Sequence, residues 1–216
     1  MQDKFRKLEN VTGWLRMAAA LSLVFFATCA YSASKTVLVL GDSLSAEYGI
    51  ARGAGWVTLL EQRLKAERID ANIVNASISG ETTSGGKARL PGLLGQHRPH
   101  IVVIELGGND GLRGLPLASA EANLRNMIQE AQKAKAKVLL VGMQIPPNYG
   151  REYADRFAGL YEKLSKEAKV SLVPFLLEGV ASRPQLFQAD RIHPLAEAQP
   201  IMLDNIWPHL KSLLQR

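Results

Sequence analysis

Past residue 33 the chain alternates between two patterns of apolar and polar positions. The first is a short, continuously apolar run: TVLVL (36–40), ANIVNA (71–76), IVVIEL (101–106), KVLLVGM (137–143) and VSLVPF (170–175). These runs are rich in β-branched residues and bounded by Gly, Pro or polar residues, as in strands buried on both faces of a parallel sheet. The second pattern returns an apolar residue every three or four positions, over 55–67, 84–97, 119–135, 151–168 and a stretch within 194–214. In the first of these, Trp56, Leu59, Leu60 and Leu64 share a helix face. The alternation predicts one doubly wound α/β domain from about residue 34 to 216. Right-handed crossovers then gather the loops that follow the strands along one edge, where such sheets bind ligands.

Residues 1–33 break the alternation. Basic residues up to Arg16 precede the apolar run MAAALSLVFFA (17–27), and small residues follow through Ala33. That order predicts a cleaved export signal and a periplasmic or secreted protein, with cleavage after Ala30, Ser32 or Ala33. The run is short for a bilayer span; an uncleaved anchor is the competing reading. Cys29, the only cysteine, falls here, and the Phe26-Ala27-Thr28 before it is a poor lipoprotein site. The mature chain would then hold no disulfide. Hydrophobic residues make up 47% of the chain and charged ones 21%, enough for a core. Residues 1–33 carry four bases (Lys4, Arg6, Lys7, Arg16) and two acids (Asp3, Glu9), so losing them lowers the net charge from +6 to +4. The charge is spread along the chain. No nucleic-acid partner is expected, and at most peripheral contact with a membrane.

Four sets of polar residues stand where strands end at the ligand-binding edge. In GDSLS, Asp42 or Ser43 caps the next helix, or Ser43 is a nucleophile whose developing charge the helix N-terminus favours. A serine hydroxyl needs a base, and DRIHP (190–194) supplies the His193 imidazole. Asp190, three residues earlier, can reach the far ring nitrogen on a tight loop and fix the tautomer. The alternative is a capping Asp190 and a surface His193. His97 and His100 precede the third strand at the opposite edge, and His209 lies late in the last helix. GGND (107–110) either places the Asn109 amide against an oxyanion or makes an ordinary turn. In SISGETTSGG (77–86), Gly80 can present its N–H to the same oxygen. Ser79, Thr82 and Thr83 suit capping or loop shaping.

Taken in order, GDSLS, the glycine after the second strand, GGND and Asp-x-x-His resemble the SGNH (GDSL) hydrolases. The longer strings GDSLSAEYG, NASISGETT, ELGGNDGLRGLP and DRIHP look closest to the bacterial periplasmic thioesterase, lysophospholipase and arylesterase branch. The resemblance spans nearly all of the chain after the leader; Glu81 stands where close relatives often carry Asp. It implies a single three-layer α/β/α, flavodoxin-like domain with a five-stranded parallel sheet. It implies Ser43 as nucleophile, His193 as base and then acid, and Asp190 as orienter. Ser43 N–H, Gly80 N–H and the Asn109 side chain would form the oxyanion hole. Esters and thioesters of aliphatic acyl chains, lysophospholipids among them, would pass through an acyl-serine, with no cofactor, no metal and a monomeric enzyme. GLRGLP (111–116), with Leu112, Arg113, Leu115 and Pro116, would touch the acyl chain, or is an ordinary surface loop. QIPPNYG (144–150) would form another wall.

Other classes stay open at this point. Asp42, Asp110, Asp190 and His193 are hard-metal ligand types on one edge, although their spacing matches no metal motif. A sugar-ester deacetylase of the same superfamily, or a non-catalytic binding module on the same fold, is also compatible. Neither G-x-x-x-x-G-K-[ST] nor G-x-G-x-x-G occurs, which argues against nucleotide binding.

Overall fold

The five apolar runs become five strands: β1 (Lys35–Gly41), β2 (Ala71–Asn75), β3 (Ile101–Glu105), β4 (Lys137–Val141) and β5 (Ser171–Val173). This is a computed structural model that describes residues 34–215; the expected export signal at 1–33 lies outside the described residues. The strands pair in parallel in the order β2-β1-β3-β4-β5, with Val37 of β1 opposite Ile73 on one side and Ile101 on the other. The helices are α1 (Trp56–Ala66), α2 (Thr83–His97), α3 (Gly108–Leu112), α4 (Leu117–Lys133), α5 (Arg151–Ala168) and α6 (Gln199–Gln215). α1 packs with α6 on one face of the sheet, and α2, α4 and α5 pack in sequence on the other. Covered on both sides, Val37–Leu40 and Ile101–Ile104 are all but completely buried, which is why those runs are apolar without alternation. In α1 the buried face is Trp56, Val57, Leu60 and Leu64, with Leu59 only partly covered.

The strand order reverses between β1 and β3, which opens a crevice at their carboxyl ends. Ser43 and Asn109 leave the sheet on its two sides. His97 and His100 lie at the other edge, where His100 Nδ1 accepts the Thr36 N–H at 3.0 Å.

Two local expectations are corrected. Gly41-Asp42-Ser43 does not lead directly into a helix. The chain runs through turns to residue 49, and the first described helix begins only at Trp56. Glu47 sits at φ 58, which interrupts helical continuation. Its carboxylate instead collects the N–H groups of Gly53 (3.0 Å) and Gly55 (2.9 Å) and the Thr58 hydroxyl (2.9 Å). GGND is not a simple turn either: Gly108 opens the short helix α3, with Asn109 in its first turn.

Candidate active site

The loops after β1 and β5 bring a serine, an imidazole and a carboxylate into line. His193 Nε2 lies 2.9 Å from Ser43 Oγ, and His193 Nδ1 lies 2.6 Å from Asp190 Oδ2. The other oxygen, Asp190 Oδ1, accepts the N–H groups of Ile192 (2.9 Å) and His193 (3.0 Å). This tight turn holds Arg191 at φ 58. Desolvation tends to raise the Asp190 carboxyl, but the His193 amide and ring and the Ile192 amide outweigh it and hold it at about 2. With a carboxylate on Nδ1, that nitrogen keeps its proton and Nε2 is left to accept from Ser43. The His193 loop is steadied from outside. The Gln188 N–H donates to His193 O (2.8 Å), Gln188 Nε2 donates to Tyr48 O (2.9 Å), and the Tyr48 ring packs 4.4 Å from the imidazole.

Among the described residues, two backbone donors named by the sequence are left without a partner: the N–H groups of Ser43 and Gly80 donate to no group of the chain. Their neighbours are engaged: Asp42 N–H on Glu105 Oε2 (3.3 Å) and Leu44 N–H on Asp42 Oδ1 (3.0 Å). Asn109 Nδ2 donates to Asp42 Oδ2 at 3.0 Å, which fixes the amide plane and leaves one hydrogen for a ligand. Asp42 thus shapes the turn at Ser43 with one oxygen and fixes Asn109 with the other.

Beneath this surface lie three buried acids, Asp42, Glu105 and Asp110. Burial lifts the Asp42 carboxyl to about 6, against the pull of the Leu44 N–H and the Asn109 amide. Burial, and then the nearby Asp42 charge, push Glu105 well above the usual carboxylate range. Glu105 Oε2 accepts the Ser45 hydroxyl at 2.7 Å, while Oε1 has no partner among the described residues. A Cβ at position 41 would lie 2.8 Å from that Oε2, so only glycine lets the turn approach so closely. Asp110 accepts the N–H (2.9 Å) and hydroxyl (2.6 Å) of Thr83, pinning the start of α2 to α3. The hard-ligand candidates Asp42 and Asp110 therefore face protein donors, and among the described residues no His/Cys/Asp/Glu group is placed to hold a metal ion.

Arg113 Nη2 donates to Gly80 O at 3.0 Å, and Tyr153 Oη donates to Leu115 O at 3.1 Å. These bonds hold the 111–116 loop beside Gly80. Leu112 is half-buried, Arg113 and Leu115 are exposed, and Pro116 caps α4. Thr82 caps α2 and Thr83 binds Asp110, so these two serve structure. Sequence reasoning missed Glu105, the double contact of Asp42, Tyr48 and Gln188. A lone acid inside the apolar run IVVIEL was the available signal for the first; no signal marked the others. A surface cleft of about 440 Å³ between α2 and α4, lined in part by Lys87, Glu121 and Arg125, lies apart from this site.

A serine–imidazole–carboxylate relay with free N–H donors beside the serine is the arrangement of acyl-transferring serine hydrolases. Residues 39–199 match the GDSL-like lipase/acylhydrolase family, and the chain belongs to it. Esterase TesA of Pseudomonas aeruginosa is 50% identical over 200 residues, covering 93% of this chain and 98% of that protein. Thioesterase 1/protease 1/lysophospholipase L1 of Escherichia coli K12 is 43% identical over 206 residues, covering 95% and 96%. Among solved structures, the psychrotrophic esterase EstA from Pseudoalteromonas sp., inhibited by monoethylphosphonate, is 41% identical with a TM-score of 0.80. It covers 84% of this chain and 100% of its own.

Proposed function

We propose that this chain hydrolyses esters and thioesters of aliphatic acyl groups, lysophospholipids among them, through an acyl-serine. The observation that carries the reading is the Ser43–His193–Asp190 relay, at 2.9 and 2.6 Å, set beside two unused N–H groups. Ser43 Oγ attacks the carbonyl carbon as His193 Nε2 takes its proton. Asp190 stabilises the imidazolium. The N–H groups of Ser43 and Gly80 and the free Asn109 amide hydrogen receive the oxyanion. His193 gives its proton to the departing alkoxide or thiolate, and water repeats the sequence to release the acid. Leu112, Leu115 and Pro116 would line the acyl chain, and Arg113 holds their loop against Gly80. The leader pattern over 1–33 supports export and removal of that segment, and residues 34–216 would act as a monomer.

The test is hydrolysis of acyl esters from acetyl to palmitoyl, with Ser43→Ala alongside. Rates are expected to depend on chain length and to fall by about 10⁴- to 10⁶-fold in the variant. A phosphonate ester should inactivate the parent and add its mass at Ser43. Equal rates in parent and variant would overturn the assignment.

A further inference from the structure

Among the described residues, the exposed large apolar side chains are Tyr48, Ile78, Leu115, Tyr149 and Ile192. Scattered single exposures are ordinary on a protein surface; these are not scattered. Each follows a different strand, β1 through β5 in turn, so all five stand at the carboxyl edge. The outer helix faces and the opposite edge carry none of them. Hydrogen bonds join their loops side to side: Gln188 to Tyr48 O (2.9 Å), Asn75 to Ser45 O (2.8 Å), Arg113 to Gly80 O (3.0 Å) and Tyr153 to Leu115 O (3.1 Å). The five therefore rim one edge, and Tyr48 and Ile192 flank His193 there.

The exposed charge of this rim that joins no ion pair is mostly positive, three arginines to one glutamate. Arg52, Arg113 and Arg191 are exposed there and join no ion pair among the described residues. Of the acids in the same loops, Glu197 is exposed and joins no ion pair among the described residues, and the others are turned inward or engaged. Asp42 and Asp110 are buried, Glu47 serves Gly53, Gly55 and Thr58, Glu81 pairs with Arg89 at 2.7 Å, and Asp190 holds His193. Farther along, Glu178 offsets Arg183, and the first turns of α5 balance Arg151 and Arg156 with Glu152 and Asp155.

We propose that this rim docks the enzyme on an anionic lipid surface, its apolar side chains entering the headgroup boundary and its arginines facing lipid phosphates. The proposal deepens the acyl-hydrolase reading and rests on it for what the docked edge would meet. The chain from Ser34 onward suits the test, because the described residues hold the whole sheet and its core, and the crystallised Pseudoalteromonas esterase folds over the same extent. It would be sedimented with vesicles of phosphatidylcholine alone and of an equal mixture with phosphatidylglycerol. Binding to the mixed vesicles is expected, weaker binding to phosphatidylcholine, and release by salt. Ile78→Ser should lower the partition about fivefold, and Arg52→Gln about fivefold. Both variants should keep the parental melting curve and the parental rate on a short soluble ester. Ser43→Ala should bind vesicles as the parent does. Failure to bind the mixed vesicles, equal binding to both vesicle types, or undiminished binding by Ile78→Ser overturns docking. Vesicle binding without ester hydrolysis would instead sink the acyl-hydrolase reading and leave docking standing.

Discussion

Asp42 holds two parts of the site with one side chain: Leu44 N–H on Oδ1 and the Asn109 amide on Oδ2. Asn109 is therefore aimed before any substrate arrives. Asn109→Ala is expected to keep the parental melting temperature and lose about 10²- to 10³-fold in kcat; a parental rate would remove Asn109 from the site. Glu105 has a different signature. Its carboxyl is raised above the ordinary 4.5 in the folded state. A raised acid leaves the folded protein holding more protons than the unfolded chain, so its contribution to stability falls as pH rises above that value. Glu105→Gln removes the penalty. The melting temperature of the variant relative to the parent should climb as pH rises above the ordinary carboxylate range, and a flat difference would mean the group is ordinary. The meeting of Ser43, His193 and Asp190 was legible because their motifs stand at strand ends along one edge and Asp190 lies three residues before His193. Glu105 and Asp42 were not, because their partners lie 63 and 67 residues away.

At the scale of elements, α3 shows how a short segment is fixed in place. Gly107 precedes it at φ 114, and a Cβ there would lie 2.3 Å from Tyr161 Oη, which itself donates to Leu106 O at 3.0 Å. Gly107→Ala meets both a forbidden backbone and a buried tyrosine. A loss of about 2–4 kcal/mol in urea unfolding is expected. It should come with a lower kcat, since the same turn delivers Asn109. The five strands and five longer helices were readable from apolar runs and helical periodicity. α3 was not, because five residues containing two glycines offer no periodicity to read. The turn after β1 was misjudged as a direct lead into a helix, because the donors that fold it onto Glu47 come from residues 53–58.

Seen whole, the molecule gathers its candidate site residues from the loops after β1, β2, β3 and β5, and hydrogen bonds join neighbouring loops side to side. Removing residues 1–33 should leave melting and ester hydrolysis unchanged, since the sheet, the core and the relay all lie in the described residues. The order β2-β1-β3-β4-β5 also has a kinetic meaning. Every strand pair is parallel and non-local, and the Ser43–His193 bond joins residues 150 positions apart. Such pairings close long loops before any contact rewards them, which slows folding. Helical signal should therefore return early when the denatured chain is diluted into buffer, and hydrolytic activity last. The enzyme's own turnover then becomes the clock for the final closure of its chain.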